Sequence, residues 1–375
     1  MMNAVENAVN QFRTLLEEQI ARTRRMENAA PPKDFTKLPT VTIGVIDGDG
    51  IGPIITGHSM RVLEALLKDE IAAGKIVLKK IEGLTIENRL AQGKAVPDDI
   101  LAACKACDVL LKGPTETPKG GTMESANVTL RRELDLFANV RPVKVPEEGI
   151  DWTFFRENTE GEYVLGSRGV EIPETLCMDF KVTTRPGTYR IARAAFEFAK
   201  NNGKQRVAIV TKANIMKKTD GMFSEICHDV AKDYPGIEAE DWYIDIMTAK
   251  LVNTEARSRF QVFVLPNLYG DIITDEAAQI QGGVGTAGSA NTGDQYAMFE
   301  AIHGSAPRMI ETGRGDYANP ASILRAAEMM LRHIALPEKA DALAAAMEKC
   351  PLTITGNADG ATCAQYADAL IAALS

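Results

Sequence analysis

The sequence lacks the features that mark membrane, secreted and nucleic-acid-binding proteins. It has no uninterrupted apolar run long enough to span a bilayer, and its N-terminal residues lack the apolar core of a signal peptide. Six cysteines in 375 residues are too few for a disulfide framework. A net charge of -9 argues against nucleic acids and anionic membranes as partners. We therefore expect a cytoplasmic protein with neither a nucleic-acid nor a membrane partner.

The residues that are present suffice for a large folded core. With 45% hydrophobic content, a chain of this length is expected to form two lobes. Cys104 and Cys107 have the spacing of a metal or redox pair, but they lie in the helical pattern Asp98 to Cys107 and the sequence has no second pair. We interpret them as buried helix residues. Residues Val5 to Glu27 form a separate helical arm, expected to pack on its own subunit or on a partner and to carry no catalytic residue.

Two aspartates four residues apart suggest a cation site. The run Val262-Phe-Val264 predicts a buried strand, Asn267 to Gly270 a tight loop, and the Ala-rich run from Ile272 a helix. Asp271 and Asp275 would share one face of that helix, where like charges repel. Binding of Mg²⁺ or Mn²⁺ would turn the repulsion into attraction. The alternative is a solvated acidic first turn, because a helix N-terminus favours one acid without any metal.

A glycine-rich turn after the predicted strand Val41 to Ile46 matches a dinucleotide-binding fingerprint only in part. In Asp47-Gly-Asp-Gly-Ile-Gly-Pro53 the third glycine comes one residue early, and Pro53 follows it. The next predicted strand, Ile76 to Ile81, does not present a ribose-binding acid at the expected place. The pattern therefore disfavours a conventional Rossmann site.

Polar side chains near the middle of the chain favour an anion site. Four of them could converge on one anion, namely Ser125, Asn127, Arg131 and Arg141. Arginine's planar fork holds a carboxylate by two contacts, which is the geometry that orients a polycarboxylic acid. One such arginine is ordinarily a surface ion pair. Three of them, counting Arg156, indicate a site.

Two further residues have no decisive pattern of their own. Lys212 follows the predicted strand Arg206 to Thr211, and a lysine at a strand end is usually just exposed. His303 lies in the loop Phe299 to Pro307, which is rich in small residues and backbone donors. The local pattern leaves both a ligand contact and an ordinary loop position open for each.

Five motifs together resemble those of the β-decarboxylating dehydrogenases, the family of isocitrate, homoisocitrate and 3-isopropylmalate dehydrogenases. They are Gly-Asp-Gly-Ile-Gly-Pro, Leu-Arg-(x)₉-Arg-Pro, Arg-Glu-Asn-Thr-Glu-Gly-Glu-Tyr, Asn-Leu-Tyr-Gly-Asp-(x)₃-Asp and His-Gly-Ser-Ala-Pro. The resemblance extends from Val41 to the C-terminus and leaves the arm before Leu38 outside.

The resemblance implies an α/β fold with two lobes around a deep cleft, a large lobe built from both chain ends and a small lobe from the middle. The arm would be residues 1–38, and the large, cofactor-binding lobe would be residues 39–137 and 283–375. The small lobe, with the dimer contact and the metal site, would be residues 138–282. The expected assembly is a homodimer or higher homo-oligomer whose subunits complete each other's active sites.

The same resemblance assigns roles to individual residues. The substrate carboxylates would be clamped by Arg131, Arg141 and Arg156. Mg²⁺ or Mn²⁺ would be bound by Asp271 and Asp275, joined from the neighbouring subunit by Asp245. Lys212, also from the neighbour, would relay the hydroxyl proton, and Tyr163 would protonate the enolate left after CO₂ departs. General chemistry agrees, because a divalent ion at the hydroxyl and adjacent carboxylate eases deprotonation and stabilises enolate charge.

By resemblance the cofactor binds to an unusual loop instead of a Rossmann fingerprint. The matching positions are Glu300, His303, Gly304, Ala306 and Asn319, with Thr117 beside the nicotinamide. NAD enzymes of the family usually have an Asp where this chain has Arg308, which could pair with the 2′-phosphate of NADP. However, Met309 and the tail Thr353 to Gly360 offer none of the Tyr and Arg contacts of NADP enzymes. We therefore expect NAD, with NADP as the alternative.

Substrate choice depends on what meets the third substituent of the substrate. Ser125 and Asn127 match the pattern Ser-x-Asn-x-x-x-Arg of isocitrate enzymes and would donate hydrogen bonds to an extra carboxylate. We expect oxidative decarboxylation of isocitrate to 2-oxoglutarate and CO₂, with homoisocitrate and 3-isopropylmalate as alternative substrates. Glu116 replaces a usually neutral residue, and Ala249-Lys250 replaces two amides, so both depart from the isocitrate pattern.

Two functions of other classes are less favoured. A non-catalytic regulatory subunit of an isocitrate dehydrogenase would lack some of the catalytic residues, whereas Tyr163, Lys212 and all three aspartates are present. A metal-dependent hydrolase built on the aspartates would need an activated nucleophile or general base, and the sequence offers none nearby.

Overall fold

The computed structural model describes residues 2–118, 123–166, 168–283 and 287–374. Its α-helices in chain order are α1 Met2–Glu27, α2 Gly52–Leu66, α3 Lys68–Ala72, α4 Ile86–Gln92, α5 Asp98–Lys105, α6 Ala126–Glu133, α7 Arg185–Asn201, α8 Thr219–Ala231, α9 Ile244–Val252, α10 Asn267–Ile280, α11 Pro307–Glu311, α12 Ala321–His333, α13 Pro337–Lys349 and α14 Cys363–Leu374. Short 3₁₀ helices cover Phe35–Lys37, Pro146–Glu148, Arg257–Arg259 and Gly315–Tyr317. None of the helices in these ranges combines the length and the apolar character that a bilayer crossing requires.

The strands alternate with these helices along much of the chain, as in an α/β protein. In chain order they are β1 Val41–Ile46, β2 Ile76–Ile81, β3 Val109–Lys112, β4 Ala138–Val145, β5 Ile150–Glu157, β6 Val170–Ile172, β7 Leu176–Met178, β8 Arg206–Thr211, β9 Glu238–Tyr243, β10 Val262–Leu265, β11 Gly288–Thr292 and β12 Ala297–Ala301. Residue contacts divide the chain into two compact units. The middle unit comprises Met1–Pro31 and Phe137–Ile280, and the terminal unit comprises Pro32–Leu136 and Gln281–Ser375.

The middle unit is a sheet with helices on both faces. Its strand order is β4-β5-β10-β8-β9, in which β4 runs antiparallel to β5 and the other pairs are parallel. Side chains alternate between the faces of a strand, so neighbouring residues enter different cores. Phe155 and Val264 pack with α7 and α8, whereas Phe154 and Phe263 pack with α9 and α10. Helix α10 therefore lies on the face of the sheet toward which Phe154 of β5 and Phe263 of β10 point.

The terminal unit is built on a second run of strands. Its order is β2-β1-β3-β12-β11, parallel except for the antiparallel pair β11 and β12. Burial of Leu130 and Leu134 anchors α6, together with Ile100 of α5, in one apolar cluster of this unit. Cys104 and Cys107 are free, buried members of the same cluster; Cys104 lies in α5 as predicted, whereas Cys107 lies two residues beyond the end of that helix. Burial raises the pKa of the Cys104 thiol to about 12, which removes thiolate reactivity at neutral pH.

The N-terminal helix α1 packs on β6 and α7 within the middle unit. Its inward side carries Leu15, which is buried, and the partly buried Gln19 and Arg22. The predicted apolar side behaves differently, because Phe12 is 46% and Leu16 is 49% exposed. Polar contacts, and not only apolar burial, therefore hold α1 against the middle unit.

Helix α10 corrects the local prediction around the acidic motif. It begins at Asn267, so Asn267 to Gly270 form its first turn and not a tight loop before Ile272. The Gly270 amide donates to the Pro266 carbonyl at 3.0 Å, the bond expected of a helix that starts immediately after the strand. A glycine inside a motif of polar residues is typical of a turn, but Gly270 instead lies within α10 and packs closely against Arg156.

Candidate functional site

A buried arginine at the end of β5 organises the polar cluster of the middle unit. Arg156 is 2% exposed, and its Nη1 donates to Asp271 Oδ1 at 2.5 Å. The phenol of Tyr163 donates to the other oxygen, Asp271 Oδ2, at 2.7 Å. Burial, and secondarily the hydrogen bond to Asp271, raises the pKa of Tyr163 to about 12. The structure thus joins three predicted site residues, and the phenol keeps its proton at neutral pH.

The seat of Arg156 is built by the first turn of α10. Asn267 Oδ1 accepts from Arg156 Nε at 2.9 Å and from Nη2 at 2.7 Å, while Asn267 Nδ2 donates to the Glu160 carbonyl at 3.0 Å. The stem of Arg156 crosses Gly270 so closely that a Cβ there would lie 2.6 Å from Arg156 Cγ. The motif Asn-Leu-Tyr-Gly therefore supplies the acceptor Asn267 Oδ1 for the guanidinium. It also supplies a glycine that leaves room for the arginine side chain.

A second arginine and acid lie one helical turn further along α10. Arg141, on β4, donates from Nη1 to Asp275 Oδ1 at 2.9 Å and to Thr274 Oγ1 at 2.8 Å. Arg141 is 8% exposed, and its Nε is buried without a hydrogen-bond partner among the described residues. Asp275 itself is 66% exposed at the side chain. The pair leaves one buried guanidinium donor for a ligand.

The terminal unit holds a comparable cluster around Glu300 of β12. Its carboxylate accepts from Arg131 Nη2 at 3.0 Å and Asn291 Nδ2 at 2.8 Å, and Lys112 Nζ lies 3.5 Å from it. Although burial opposes ionisation, Lys112 and Arg131 hold the pKa of Glu300 at about 2. Arg131 Nε, like that of Arg141, is buried and has no partner in the part of the chain that is described.

The two residues predicted to select isocitrate stand at the start of α6. Ser125 is the N-cap residue by position, but its side chain makes no capping hydrogen bond. Asn127 lies inside the helix, and its Oδ1 accepts from Thr115 Oγ1 at 3.2 Å. This contact uses the oxygen of the amide, so the nitrogen keeps its donors for other partners.

The predicted cofactor residues lie in and beside one loop of the terminal unit. His303 Nδ1 is 3.0 Å from the Gly304 carbonyl, and Ala306 adopts a left-handed conformation with φ 45° at the start of α11. Arg308 of α11 and Thr117 are exposed. Asn319 Oδ1 accepts from the Ala321 amide at 2.9 Å at the start of α12.

The glycine-rich turn Asp47 to Pro53 contacts the loop that contains His303. This contact explains why the spacing of its glycines differs from that of a phosphate-binding loop. The Ile51 amide donates to the Ser305 carbonyl at 2.9 Å, and a Cβ on Gly50 would lie 2.1 Å from that oxygen. Asp49 accepts from the amides of Ile86 and Glu116, each at 2.7 Å. The turn therefore holds neighbouring segments by backbone contacts.

Lys212 and Asp245 form a pair of their own in the middle unit. Lys212 follows β8, Asp245 lies in the first turn of α9, and Nζ is 2.6 Å from Oδ1. The Lys212 hydrogen bond lowers the pKa of Asp245. Among the described residues, no group of three or more His, Cys, Asp and Glu is placed to hold a metal ion. Asp245 therefore does not complete a metal site with Asp271 and Asp275 inside one chain.

An acidic pair lies behind the Arg156 cluster. Glu157 and Glu160 are each 2% exposed. The Glu157 carboxylate accepts from the Thr159 amide at 3.0 Å and from the Glu160 amide at 2.6 Å. Burial, followed by the nearby Glu160 charge, raises the pKa of Glu157 to about 7, while Arg190 and Arg22 act in the opposite direction.

Sequence reasoning missed several residues of these clusters. Asn267 lies in the motif Asn-Leu-Tyr-Gly-Asp, and Glu157 and Glu160 lie in Arg-Glu-Asn-Thr-Glu-Gly-Glu-Tyr. Membership in these motifs could have identified all three. Lys112 ends β3 immediately before Gly113-Pro114, and a charged residue at the end of an otherwise apolar strand marks it. Arg22 had no signal, since its partner Glu160 lies 138 residues away in the chain.

Comparisons with known proteins point in one direction. The sequence profile described as "Isocitrate/isopropylmalate dehydrogenase" matches residues 42–363. The chain is 42% identical over 318 residues to the 3-isopropylmalate dehydrogenase of Archaeoglobus fulgidus, covering 82% of this chain and 90% of that one. It is 37% identical over 348 residues to isocitrate dehydrogenase [NAD] subunit 2, mitochondrial, of Schizosaccharomyces pombe, covering 89% and 87%.

A longer relative and a solved structure add to this. The chain is 41% identical over 301 residues to the isocitrate dehydrogenase [NADP] of Rickettsia bellii, covering 78% of this chain but only 59% of that enzyme. The crystal structure of isocitrate dehydrogenase from Methylococcus capsulatus is similar with a TM-score of 0.79 and 34% identity, covering 89% of this chain and 99% of that one. This likeness confirms the predicted fold.

A Gly270→Ala substitution tests the seat of Arg156. An alanine inside a helix normally stabilises by up to about 1 kcal/mol relative to glycine, but here overpacking against Arg156 should destabilise the fold by about 1–3 kcal/mol. Gly221 of α8 is a matched control, because a Cβ there meets nothing within 4 Å. Urea unfolding should move the two midpoints in opposite directions. An equal gain in both variants would show that Arg156 can leave its seat freely.

The acidic pair predicts a pH dependence of stability. An acid whose folded-state pKa is raised from 4.5 to about 7 binds more protons when folded, so its stabilising contribution is lost as pH rises between those values. Glu157→Gln should flatten this part of the curve of unfolding free energy against pH. The exposed Glu171→Gln is the control and should keep the wild-type slope. Parallel curves for all three proteins would contradict the raised pKa.

Proposed function

We propose that this chain, which belongs to the isocitrate/isopropylmalate dehydrogenase family, oxidises and decarboxylates isocitrate to 2-oxoglutarate and CO₂ with NAD as the hydride acceptor. The observation that carries the proposal is a pair of buried guanidinium nitrogens, Arg131 Nε and Arg141 Nε, without partners in the described chain. Leaving a charged donor unpaired in a buried place is costly, so these nitrogens are expected to meet a ligand. Carboxylates suit them because the guanidinium fork binds them at two points.

The acids that already pair with these arginines support a polycarboxylate ligand. Arg131, Arg141 and Arg156 each contact a protein carboxylate, so each is oriented before a substrate arrives. Further donors then remain for the substrate, and orientation in advance lowers the entropic cost of binding. In the proposed roles all three arginines hold substrate carboxylates.

The aspartates on α10 suit a hard divalent cation, since they are oxygen donors one turn apart and exposed at 41% and 66% of their side chains. Asp271 and Asp275 would hold Mg²⁺ or Mn²⁺, with Asp245 from a second copy, and the ion would polarise the substrate's hydroxyl and adjacent carboxylate. Arg156 and Arg141 hold both carboxylates in place by ion pairs in the meantime. Asp271 would exchange part of its contact with Arg156 and Tyr163 when the cation binds.

Proton transfer is assigned to two side chains. Tyr163 bears a proton on a phenol of raised pKa and is held by Asp271, so it can donate to the carbon that CO₂ has left. Lys212 is proposed to take the hydroxyl proton. Because Lys212 and Asp245 are 2.6 Å apart, one neighbouring subunit would deliver both side chains together in the proposed homodimer with shared sites.

The polar residues at the start of α6 distinguish isocitrate from 3-isopropylmalate as the substrate. An apolar 3-isopropylmalate side chain needs an apolar wall, whereas isocitrate needs donors for one more carboxylate. Ser125 has a hydroxyl that is not used for capping, and Asn127 keeps its amide donors. These residues favour isocitrate. The Archaeoglobus relative favours 3-isopropylmalate as the second candidate, and homoisocitrate remains a third because it also carries the additional carboxylate.

A substrate panel tests the proposal. The purified protein should reduce NAD with isocitrate in the presence of Mg²⁺ far faster than with homoisocitrate or 3-isopropylmalate, and excess chelator should stop the reaction. Replacing Ser125 and Asn127 together by Leu should lower kcat/KM for isocitrate by roughly thirtyfold or more, from about 1–3 kcal/mol for each of the two lost contacts. Faster turnover of 3-isopropylmalate by the wild type, or an unaffected double variant, would overturn the isocitrate assignment.

The exposed Arg308 generates a prediction about the cofactor. A single exposed arginine contributes about 1 kcal/mol or less toward a phosphate, so it gives weak NADP use without strict NADP dependence. Arg308→Asp should lower NADP-dependent turnover by about fivefold while largely sparing the NAD reaction. Met309→Asp, at the next position, is the control for added negative charge. Strict NADP dependence of the wild type, lost with Arg308, would contradict NAD as the preferred cofactor.

A further inference from the structure

The N-terminal helix α1 inserts one charged side chain into the middle unit. Arg22 Nη1 donates to Glu160 Oε1 at 3.0 Å, and its Nη2 donates to Thr159 Oγ1 at 3.1 Å. The side chain of Arg22 is only 16% exposed. Helix α1 lies outside residues 42–363, the part of the chain that matches the family profile. The contact therefore involves a helix outside the part of the chain that the family profile matches.

The segment that Arg22 contacts connects two proposed active-site residues. It runs from Glu157 to Glu160 and joins Arg156, at the end of β5, to Tyr163. The amides of Thr159 and Glu160 donate to the Glu157 carboxylate, which curls the segment around that side chain. Glu160 accepts from the Thr184 amide at 2.8 Å and from the Thr184 hydroxyl.

Burying two carboxylates side by side requires positive charge nearby. Glu157 and Glu160 repel each other across the segment. Two helices bring positive charges to this pair, α1 with Arg22 and α7 with Arg190. Arg190 Nη2 donates to Thr159 Oγ1 at 3.1 Å. Without Arg22, the attraction from that arginine would be lost while the repulsion between the two buried carboxylates remained, and the segment would be pushed toward solvent.

Contacts continue from this segment to the reacting groups. The Glu160 carbonyl accepts from Asn267 Nδ2 at 3.0 Å, and Asn267 Oδ1 accepts two donors of Arg156. Arg156 in turn holds Asp271. A shift of Glu160 would therefore change the hydrogen bonding of Asn267 and loosen the orientation of Arg156 and Tyr163.

From these contacts we propose that Arg22 is a positioning residue: it fixes the segment 157–160, and through Asn267 it sets the orientation of Arg156 and Tyr163. The kinetic consequence rests on the proposed function, but the structural consequence does not. Helix α1 on this view contributes to the orientation of the site residues, and the expectation that the arm carries no catalytic residue is unaffected.

The decisive variants are Arg22→Gln, Arg22→Lys and the control Arg25→Gln, which removes an exposed arginine from the same helix. Arg22→Gln should lower kcat/KM for the substrate by about tenfold or more, as the loss of outer partners of site residues commonly does. The defect should be larger at pH 8.5 than at pH 6, because protonation of Glu157 relieves the repulsion. Arg22→Lys should recover part of the activity by restoring charge, and Arg25→Gln should equal the wild type.

Amide hydrogen exchange of the full-length protein gives a readout that needs no substrate. Arg22→Gln should speed exchange in the peptide spanning residues 157–163, since the Thr159 and Glu160 amides lose protection, whereas Arg25→Gln should leave it unchanged. If the wild type turns over no substrate of the panel, the proposed function fails and exchange alone decides the role of Arg22. If Arg22→Gln does not fold, Arg22→Lys serves in both measurements.

Two outcomes would overturn the proposal. One is wild-type exchange in residues 157–163 of the Arg22→Gln protein. The other is a lowered melting temperature with kcat, KM and the pH profile unchanged well below that temperature, which would make Arg22 a tether for the helix only.

Discussion

The buried guanidinium of Arg156 is the charge on which the arrangement of the middle unit's site depends. A buried charge is tolerated only when its donors are paired, and the structure pairs them with Asn267 and Asp271 from the first turn of α10. That turn must therefore start immediately after β10, and it must carry a glycine where the arginine stem passes. The position of Asp271 and Asp275 on α10 is therefore determined by the hydrogen bonds that Arg156 requires.

The same principle recurs at the other two arginines, and it defines the resting state of the site. Arg141 with Asp275 and Arg131 with Glu300 are each partly satisfied by a protein carboxylate, and each keeps a buried Nε for something else. Asp275 and Glu300 thus partly neutralise the buried arginines and reduce the free-energy cost of burying these charges when no ligand is bound. In the proposed function, a ligand would bind by pairing with these buried donors, which favours polyanions over neutral compounds.

Sequence reasoning found those residues whose chemistry is local. The apolar run Val262 to Leu265, the aspartates one turn apart and the family motifs could all be recognised from short spacings, and the fold and family are confirmed. It mistook the turn Asn267 to Gly270 for a loop, because the glycine is required by Arg156, which is distant in sequence. It gave Arg22 no role for the same reason, since that contact joins residues 138 positions apart.

The acidic pair gives a physical reason why a helix outside the family profile would bear on the proposed site. Glu160 has no room to move toward α7, because a Cβ on Gly187 would already lie 2.3 Å from its carboxylate. Protonation of Glu157, or a cation brought to Glu160 from another element, stabilises the pair. Arg22 of α1 is that cation here. We expect that a relative without such a helix either keeps Glu157 protonated at neutral pH or supplies an equivalent cation from another element, since two adjacent buried carboxylates cannot both stay ionised against Arg190 alone.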